Sequence, residues 1–164
     1  MGSNLGNKEA TLLASWRNLR DFPQVHPLGI SSPYLSAPLD MDSRNTFINA
    51  VALVETTLQP LELLHVLLQL ELHHGRKRTA QTTAYQDRHL DLDLLFFGDL
   101  CQEGTTLTLP HPRLHERLFV LIPLAELLPH WRHPVSGHSI QALVEHLIAS
   151  GGQQVERIAW NHAP

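Results

Sequence analysis

The sequence predicts an α+β domain in which helices pack on a mainly antiparallel sheet. Two observations lead to this fold class. Segments with apolar residues at helical spacing alternate with short runs rich in apolar and β-branched residues, in the order helix, strand, strand, helix, strand. The chain has 164 residues, which suits a single hydrophobic core, so we expect residues 1–164 to form one domain.

The first half of the chain is predicted to contain two helices and two strands. Residues 7–22 carry apolar side chains at helical spacing, and Asn7 is a suitable N-terminal cap. Residues 24–36 contain several prolines, which favour an irregular or edge strand. Residues 47–56 predict one buried strand, and residues 60–75 predict a helix that begins at a proline and ends at a glycine.

The second half is predicted to begin with a polar loop over residues 76–87. Residues 90–97, with the sequence LDLDLLFF, predict a strand, and the Gly-Asp pair that follows predicts a turn into a hairpin. Two short helices, near 120–128 and 139–149, and a last strand within 155–160 complete the prediction.

The composition is that of a soluble globular protein with no pattern typical of nucleic-acid or membrane binding. Apolar residues make up 43% of the chain, and the formal net charge is -4. The longest apolar stretch, residues 118–128, is too short to span a bilayer, and the N-terminus shows no signal-peptide pattern. The single cysteine, Cys101, excludes an internal disulfide. We expect a cytoplasmic protein that acts as a monomer, with no nucleic-acid or membrane partner.

Asp91 and Asp93 are the most informative residues for function. Positions i and i+2 of a strand point to the same face, so both carboxylates are expected to project together. Two close carboxylates repel each other unless a cation or a proton intervenes, and Mg²⁺ prefers such oxygen ligands together with substrate phosphates. The spacing alone fits equally well two ordinary acids on an exposed strand face.

Basic residues surround the pair and favour a polyphosphate ligand. Arg88 lies three residues before Asp91, and Arg76, Lys77 and Arg78 stand at the start of the preceding loop. Taken singly, this basic run is equally typical of a solvated loop. The chain has neither a Walker A loop nor a Gly-rich kinase loop, so a phosphotransferase of this sequence belongs to neither of those classes.

Several short motifs, in order and at matching spacing, resemble the 6-hydroxymethyl-7,8-dihydropterin pyrophosphokinase family. The resemblance runs from residue 2 to about residue 145. The motifs are Gly2-Ser3-Asn4-Leu5-Gly6, Phe47-Ile48-Asn49-Ala50-Val51, Glu71 with Gly75-Arg76, Arg88-His89-Leu90-Asp91-Leu92-Asp93, Leu109-Pro110-His111-Pro112, Glu116-Arg117 and Phe119-Val120-Leu121.

The resemblance implies a ferredoxin-like fold and a reaction of folate biosynthesis. In that reaction ATP gives its β,γ-pyrophosphoryl group to the hydroxymethyl oxygen of a reduced pterin, and AMP is left. Two Mg²⁺ ions, held by Asp91 and Asp93, are implied as cofactors, and ATP as co-substrate. Small molecules are therefore the expected partners.

The resemblance also implies roles for individual residues. Asp91, Asp93, Arg76 and Arg88 are the implied catalytic residues, and the arginines would stabilise developing phosphate charge. The implied ATP-binding residues are Glu71, Arg78, His111 and Arg117. The implied pterin-binding residues are Ser36, Ala37, Leu39, Phe47, Asn49 and Phe119. Two aromatic rings can enclose a flat heterocycle, although either phenylalanine could equally be a core residue.

Two departures from the family pattern leave alternatives open. Met1 stands directly before Gly2, so we expect a truncated first strand, with the true start upstream or with another segment, such as residues 155–160, in its place. Asp87 adds a negative charge beside the expected polyphosphate site, which would weaken ATP binding. The alternatives to an active enzyme are a catalytically impaired pterin- or nucleotide-binding paralogue, and an interaction module whose acidic pair is incidental.

Overall fold

The computed structural model describes residues 1–40, 42–76, 86–151 and 153–164 and confirms the α+β class. Two antiparallel sheets, one of four strands and one of two, pack with helices in an arrangement consistent with a ferredoxin-like fold. The helices in the described residues are α1 (Lys8–Asn18), α2 (Pro60–His73), α3 (Leu118–Leu127) and α4 (Ile140–Ala149). The strands there are β1 (Gly2–Ser3), β2 (Val25–Ile30), β3 (Tyr34–Ser36), β4 (Phe47–Asn49), β5 (Ala52–Thr56) and β6 (Val155–Arg157).

The first two helices begin where the sequence predicts. The side chain of Asn7 accepts a hydrogen bond from the backbone N–H of Ala10 at 3.2 Å, which satisfies one otherwise unpaired donor of α1. At the start of α2, the backbone N–H of Gln59 donates to the Glu62 carboxylate at 2.7 Å. Just past the end of α2, Gly75 has a φ of 84°, a conformation that glycine adopts without steric strain.

The single strand predicted over residues 47–56 is wrong, because the structure has two strands there in different sheets. β4 pairs with β1 and β3, whereas β5 pairs with β2. The chain crosses between the sheets at Ala50 and Val51, which are both buried. Their backbone groups are satisfied at the crossing: Ala50 N–H donates to Met1 O at 3.0 Å, and Val51 N–H donates to the Ser31 hydroxyl at 3.0 Å.

The strand predicted over residues 90–97 is also wrong, although its alternation of side chains persists. Only Asp91 bridges to another strand, exchanging backbone hydrogen bonds of 2.8 Å with Gly2 in both directions. Leu90 and Leu92 are buried in the core, whereas Asp91 is partly exposed and Asp93 is exposed. A strand requires a neighbouring strand to bond with, and no described strand pairs with residues 92–97.

The first strand is short, with only Gly2 and Ser3 in its ladder between β4 and Asp91. The alternative that residues 155–160 take the place of a longer first strand is wrong, because β6 pairs with β3 at the opposite edge of the four-stranded sheet from β1. An open apolar cleft of about 1300 Å³ lies between β5 and the segment that follows Asp91. Its lining includes Val54, Leu67 and Leu94.

The core has two parts, and together they fix the segment that carries the carboxylates. The first packs α1 and α2 around Leu90 and Leu92. The second packs α3 and α4 around Val51. Within the described ranges, no helix combines the length and apolarity needed to cross a bilayer.

Candidate active site

Two clefts meet at the carboxylate pair, and Asp91 and Asp93 line both of them. The first cleft, of about 690 Å³ and open to solvent, lies along β3 and β4 and the start of α3. The second, of about 750 Å³, lies between α2 and the loop around residues 104–112. A group bound in one cleft can therefore reach a group bound in the other at these two side chains.

Two arginines hold Asp91 in place. Arg76 Nη1 lies 2.7 Å from Asp91 Oδ1, and Arg88 Nη2 lies 2.9 Å from Asp91 Oδ2. All three side chains are largely buried, with exposed fractions of 22%, 16% and 17% for Arg76, Arg88 and Asp91. Partial burial strengthens these charge-assisted contacts relative to surface ion pairs.

Glu71 links α2 to the carboxylate segment. Its side chain is almost fully buried, and Oε1 accepts a hydrogen bond from the backbone N–H of Leu92 at 2.8 Å. The same oxygen also contacts Arg76. Leu92 stands between Asp91 and Asp93, so this hydrogen bond to Glu71 fixes the backbone between the two carboxylates.

The donor set around Asp93 fits a divalent cation. Among the described residues, no hydrogen bond or ion pair engages the exposed Asp93 carboxylate, whereas Asp91 already contacts Arg76 and Arg88. The described part of the chain has no cluster of three or more His, Cys, Asp or Glu side chains arranged for a metal. A bound cation would therefore take substrate oxygens or water as its remaining ligands.

The six residues matched to pterin binding all line the first cleft: Ser36, Ala37, Leu39, Phe47, Asn49 and Phe119. Ser36 and Phe47 are cross-strand partners in the pairing of β3 with β4, which brings these segments together. Asn49 is buried, and its Nδ2 donates to Ser36 Oγ at 2.9 Å. No donor among the described residues satisfies Asn49 Oδ1, so this oxygen remains able to accept a hydrogen bond.

Cations stand over both aromatic rings of the first cleft. The Arg88 guanidinium carbon lies 5.9 Å from the centre of the Phe47 ring, and that of Arg117 lies 5.7 Å from the centre of the Phe119 ring. The buried Nε of Arg117 has no hydrogen-bond partner within the described chain. A ligand at this cleft therefore meets apolar ring faces and positive charge together.

His111 lines the second cleft together with Glu71 and Arg76. Its backbone N–H donates to Leu95 O at 2.7 Å, and its Nδ1 accepts from the backbone N–H of Arg113 at 3.1 Å. Burial lowers the pKa of His111 below its usual value, although the charge of Asp93 opposes that shift. The ring is therefore poised as a neutral hydrogen-bonding group on the cleft wall. Arg78 lies outside the described residues.

Sequence reasoning gave no role to Asn4 and missed the polar contacts of Asp87. Asn4 is buried just after β1, and its Oδ1 accepts a hydrogen bond from Arg88 N at 2.7 Å. Its Nδ2 donates to the Asp87 carboxylate at 2.6 Å. The Gly-Ser-Asn-Leu-Gly motif was the available signal for Asn4, but contacts across more than 80 residues have no local pattern.

Comparisons with known proteins point to one family. Residues 1–129 match the family model described as 7,8-dihydro-6-hydroxymethylpterin-pyrophosphokinase. The chain is 35% identical over 158 residues to a 2-amino-4-hydroxy-6-hydroxymethyldihydropteridine pyrophosphokinase of Pseudomonas aeruginosa, covering 96% of this chain and 93% of that protein. It is 37% identical over 127 residues to proteins of the same name from Haemophilus influenzae and Bacillus subtilis. These alignments cover 77% of this chain, and 78% and 74% of the two relatives respectively.

Proposed function

Because the chain belongs to the 7,8-dihydro-6-hydroxymethylpterin-pyrophosphokinase family, we propose that its two clefts are the substrate sites, with the reduced pterin in the first and ATP in the second. The protein is an ATP-dependent diphosphotransferase of folate biosynthesis, which transfers pyrophosphate from ATP to 6-hydroxymethyl-7,8-dihydropterin. The observation that carries the site assignment is the position of Asp91 and Asp93, which line both clefts.

The first cleft suits a flat, polar heterocycle. The pterin ring lies between Phe47 and Phe119, whose faces bind an aromatic ligand and exclude water. Asn49 Oδ1 accepts a hydrogen bond from a ring N–H, and the bond from Asn49 Nδ2 to Ser36 Oγ fixes the orientation of the amide. Ala37 and Leu39 form the apolar edge. This arrangement directs the hydroxymethyl group towards the carboxylate pair.

The second cleft suits the polyphosphate of ATP. Arg76 and the His111 ring line this cleft and offer a cation and a neutral hydrogen-bonding group to phosphate oxygens. Arg88 and Arg117 line the first cleft and supply positive charge where the two clefts join. We propose the same phosphate-binding role for Arg78. Arg76 and Arg88 contact Asp91, which holds both guanidinium groups beside the carboxylate pair. Glu71 also lines this cleft, and we assign it to the nucleotide.

Asp91 and Asp93 would hold two Mg²⁺ ions, and the exposed Asp93 carboxylate, which no described residue engages, supports this role. When bound, Mg²⁺ neutralises the phosphate chain and lowers the pKa of a coordinated hydroxyl. The pterin oxygen then forms a bond to the β-phosphorus, and the bond from that phosphorus to the oxygen shared with the α-phosphate breaks. AMP leaves with the electron pair of the broken bond, and the hydroxyl proton passes to solvent water.

We further propose that the protein acts in the cytoplasm as a single domain of residues 1–164 and as a monomer. The pairing of β6 with β3 and the packing of α4 on α3 support one domain, because they join the C-terminal residues to the core. The single, exposed Cys101 is consistent with a reducing compartment. No observation favours an impaired paralogue or an interaction module.

The test is AMP formation from ATP with Mg²⁺, with and without 6-hydroxymethyl-7,8-dihydropterin. We expect pterin-dependent AMP from the parent protein and a loss of at least about a hundredfold in Asp93→Asn, because the neutral amide is a poor ligand for a hard cation. Asp99→Asn is the matched control, since this exposed turn residue lies outside both clefts. Equal rates for Asp93→Asn and Asp99→Asn would refute the assignment of the metal site.

A further inference from the structure

Asp87 lies just before Arg88, and its exposed carboxylate gathers three side chains from two other segments. Oδ1 accepts hydrogen bonds from Asn4 Nδ2 and Ser43 Oγ, and Oδ2 accepts one from Asn45 Nδ2, all at 2.6 Å. The hydrogen bond from Ser43 is the largest contribution that lowers the pKa of Asp87 below its usual value. The group is therefore a carboxylate at neutral pH, and all three donors engage its charged form.

The first segment that Asp87 holds is the turn after β1. Asn4 is buried there, and it is bonded to Arg88 in both directions: Arg88 N–H donates to Asn4 Oδ1 at 2.7 Å, and Asn4 N–H donates to Arg88 O at 3.1 Å. Together with the contact to Asp87, three hydrogen bonds fix the backbone at Arg88 relative to this turn.

The second segment is residues 42–46, which lead directly into β4. Asn45 N–H donates to Ser43 Oγ at 3.1 Å, so the two side chains that contact Asp87 belong to one local turn. At the far end, Lys8 Nζ donates to Thr46 O at 2.7 Å. The segment is therefore held at the Asp87 carboxylate and at Lys8, and the next residue in the chain is Phe47.

The chain on either side of this join reaches the wall of the first cleft. Arg88 directly follows Asp87 and Phe47 directly follows residues 42–46, and the Arg88 guanidinium carbon lies 5.9 Å from the Phe47 ring centre. Arg88 also contacts Asp91 at 2.9 Å. The relative position of the aromatic wall and the carboxylate pair therefore depends on how these two segments are joined.

We propose that Asp87 is a positioning residue: it joins residues 42–46 to the segment of Arg88 and thereby sets Phe47 and Arg88 relative to each other at the first cleft. The consequence for catalysis rests on the proposed function, which assigns this cleft to the pterin. The competing account, in which the charge of Asp87 acts on ATP, predicts the opposite result, because removal of the charge would then strengthen ATP binding.

The first experiment tests, without an activity assay, whether Asp87 holds residues 42–46 in place. Arg44 lies exposed in the 42–46 segment, so trypsin cleavage after Arg44, followed by mass spectrometry, reports how firmly the segment is held. We expect Asp87→Ala to be cut about tenfold faster than the parent, because it loses three hydrogen bonds to a charged acceptor. Asp42→Ala also removes one carboxylate, here from the 42–46 segment itself, but no hydrogen bond from a described residue engages Asp42, so its cleavage rate should equal the parent's.

The second experiment measures KM for pterin and for ATP separately. We expect Asp87→Ala to raise the pterin KM by about tenfold and not to lower the ATP KM, because the Arg88 that Asp87 positions also belongs to the proposed phosphate site. Asp87→Asn should be intermediate, because its amide keeps one acceptor oxygen but presents a donor to the other side chains. Circular dichroism checks that each variant is folded. Should a variant fail to fold, Asn45→Ala, which removes a single exposed contact, provides the same readouts with a smaller expected effect.

The outcomes separate this inference from the proposed function. Faster cleavage after Arg44 together with a raised pterin KM supports it. Unchanged cleavage in Asp87→Ala, or a lowered ATP KM with the pterin KM unaltered, overturns it. If the parent protein does not use the pterin, the proposed function fails, and the Arg44 cleavage rates alone then decide whether Asp87 joins the two segments.

Discussion

Replacement of Glu71 tests whether this buried carboxylate holds the segment between Asp91 and Asp93 in place. Glu71→Ala removes the acceptor of the Leu92 N–H, which is buried, and leaves Arg76 without one of its carboxylate contacts. An unsatisfied buried donor costs about 1–3 kcal/mol, and loss of a contact to a charged group that is partly exposed costs about 1 kcal/mol more. We therefore expect a loss of about 3 kcal/mol in the free energy of unfolding.

The expected loss can be measured by thermal unfolding followed by circular dichroism. For a domain of this size, about 1 kcal/mol corresponds to about 2–4 °C in Tm, so Glu71→Ala should unfold about 6–12 °C lower than the parent. Glu71→Gln keeps an acceptor oxygen for Leu92 N–H and loses only the charge, so its Tm should fall by about 2–4 °C. Glu103→Ala, at an exposed position, should leave Tm unchanged. Equal Tm values for Glu71→Ala and Glu103→Ala would refute the reasoning.

Two further predictions concern pterin binding and pH. Phe119→Leu should raise the pterin KM about fivefold and leave the ATP KM unchanged, because aromatic stacking contributes about 1 kcal/mol beyond the area buried. Equal effects on both KM values would contradict the assignment of the first cleft. Burial opposes ionisation of Glu126, but hydrogen bonds from Ser32 and Tyr34 and the charge of Arg157 outweigh it and lower its pKa. Its stabilising contribution is therefore full above the ordinary value of 4.5 and is lost as pH falls through the lowered pKa, so Glu126→Gln should reduce the acid dependence of Tm; an unchanged dependence would contradict this.

The helices were the best predicted part of the fold, because their signals are local. The cap at Asn7 and the glycine after α2 both act within a few residues, and the structure has them where the sequence indicates. The strands were predicted less well, because a strand is defined by its neighbours. Nothing within residues 47–56 signals that the chain changes sheets at Ala50, since that crossing depends on hydrogen bonds from Met1 and Ser31.

The candidate site shows the same division between local and distant information. The spacing of Asp91 and Asp93 indicates that both carboxylates share one side of the chain. Both line the same two clefts, even though the bridge at Asp91 does not continue as a strand over residues 92–97. The contacts of Asp87 could not be predicted, because its donors lie 42 to 83 residues away in the chain. The sequence predicts that the negative charge of Asp87 weakens ATP binding, whereas in the structure three hydrogen-bond donors surround this carboxylate.

The most direct test of the account is a crystal structure of the protein with Mg²⁺, a non-hydrolysable ATP analogue and 6-hydroxymethyl-7,8-dihydropterin. The account predicts the pterin ring between Phe47 and Phe119, the phosphates beside Arg76 and Arg88, and metal density at Asp93 where the two ligands meet. Pterin density outside the first cleft, or metal density that does not contact Asp93, would contradict the central claim that the carboxylate pair joins the two substrate sites.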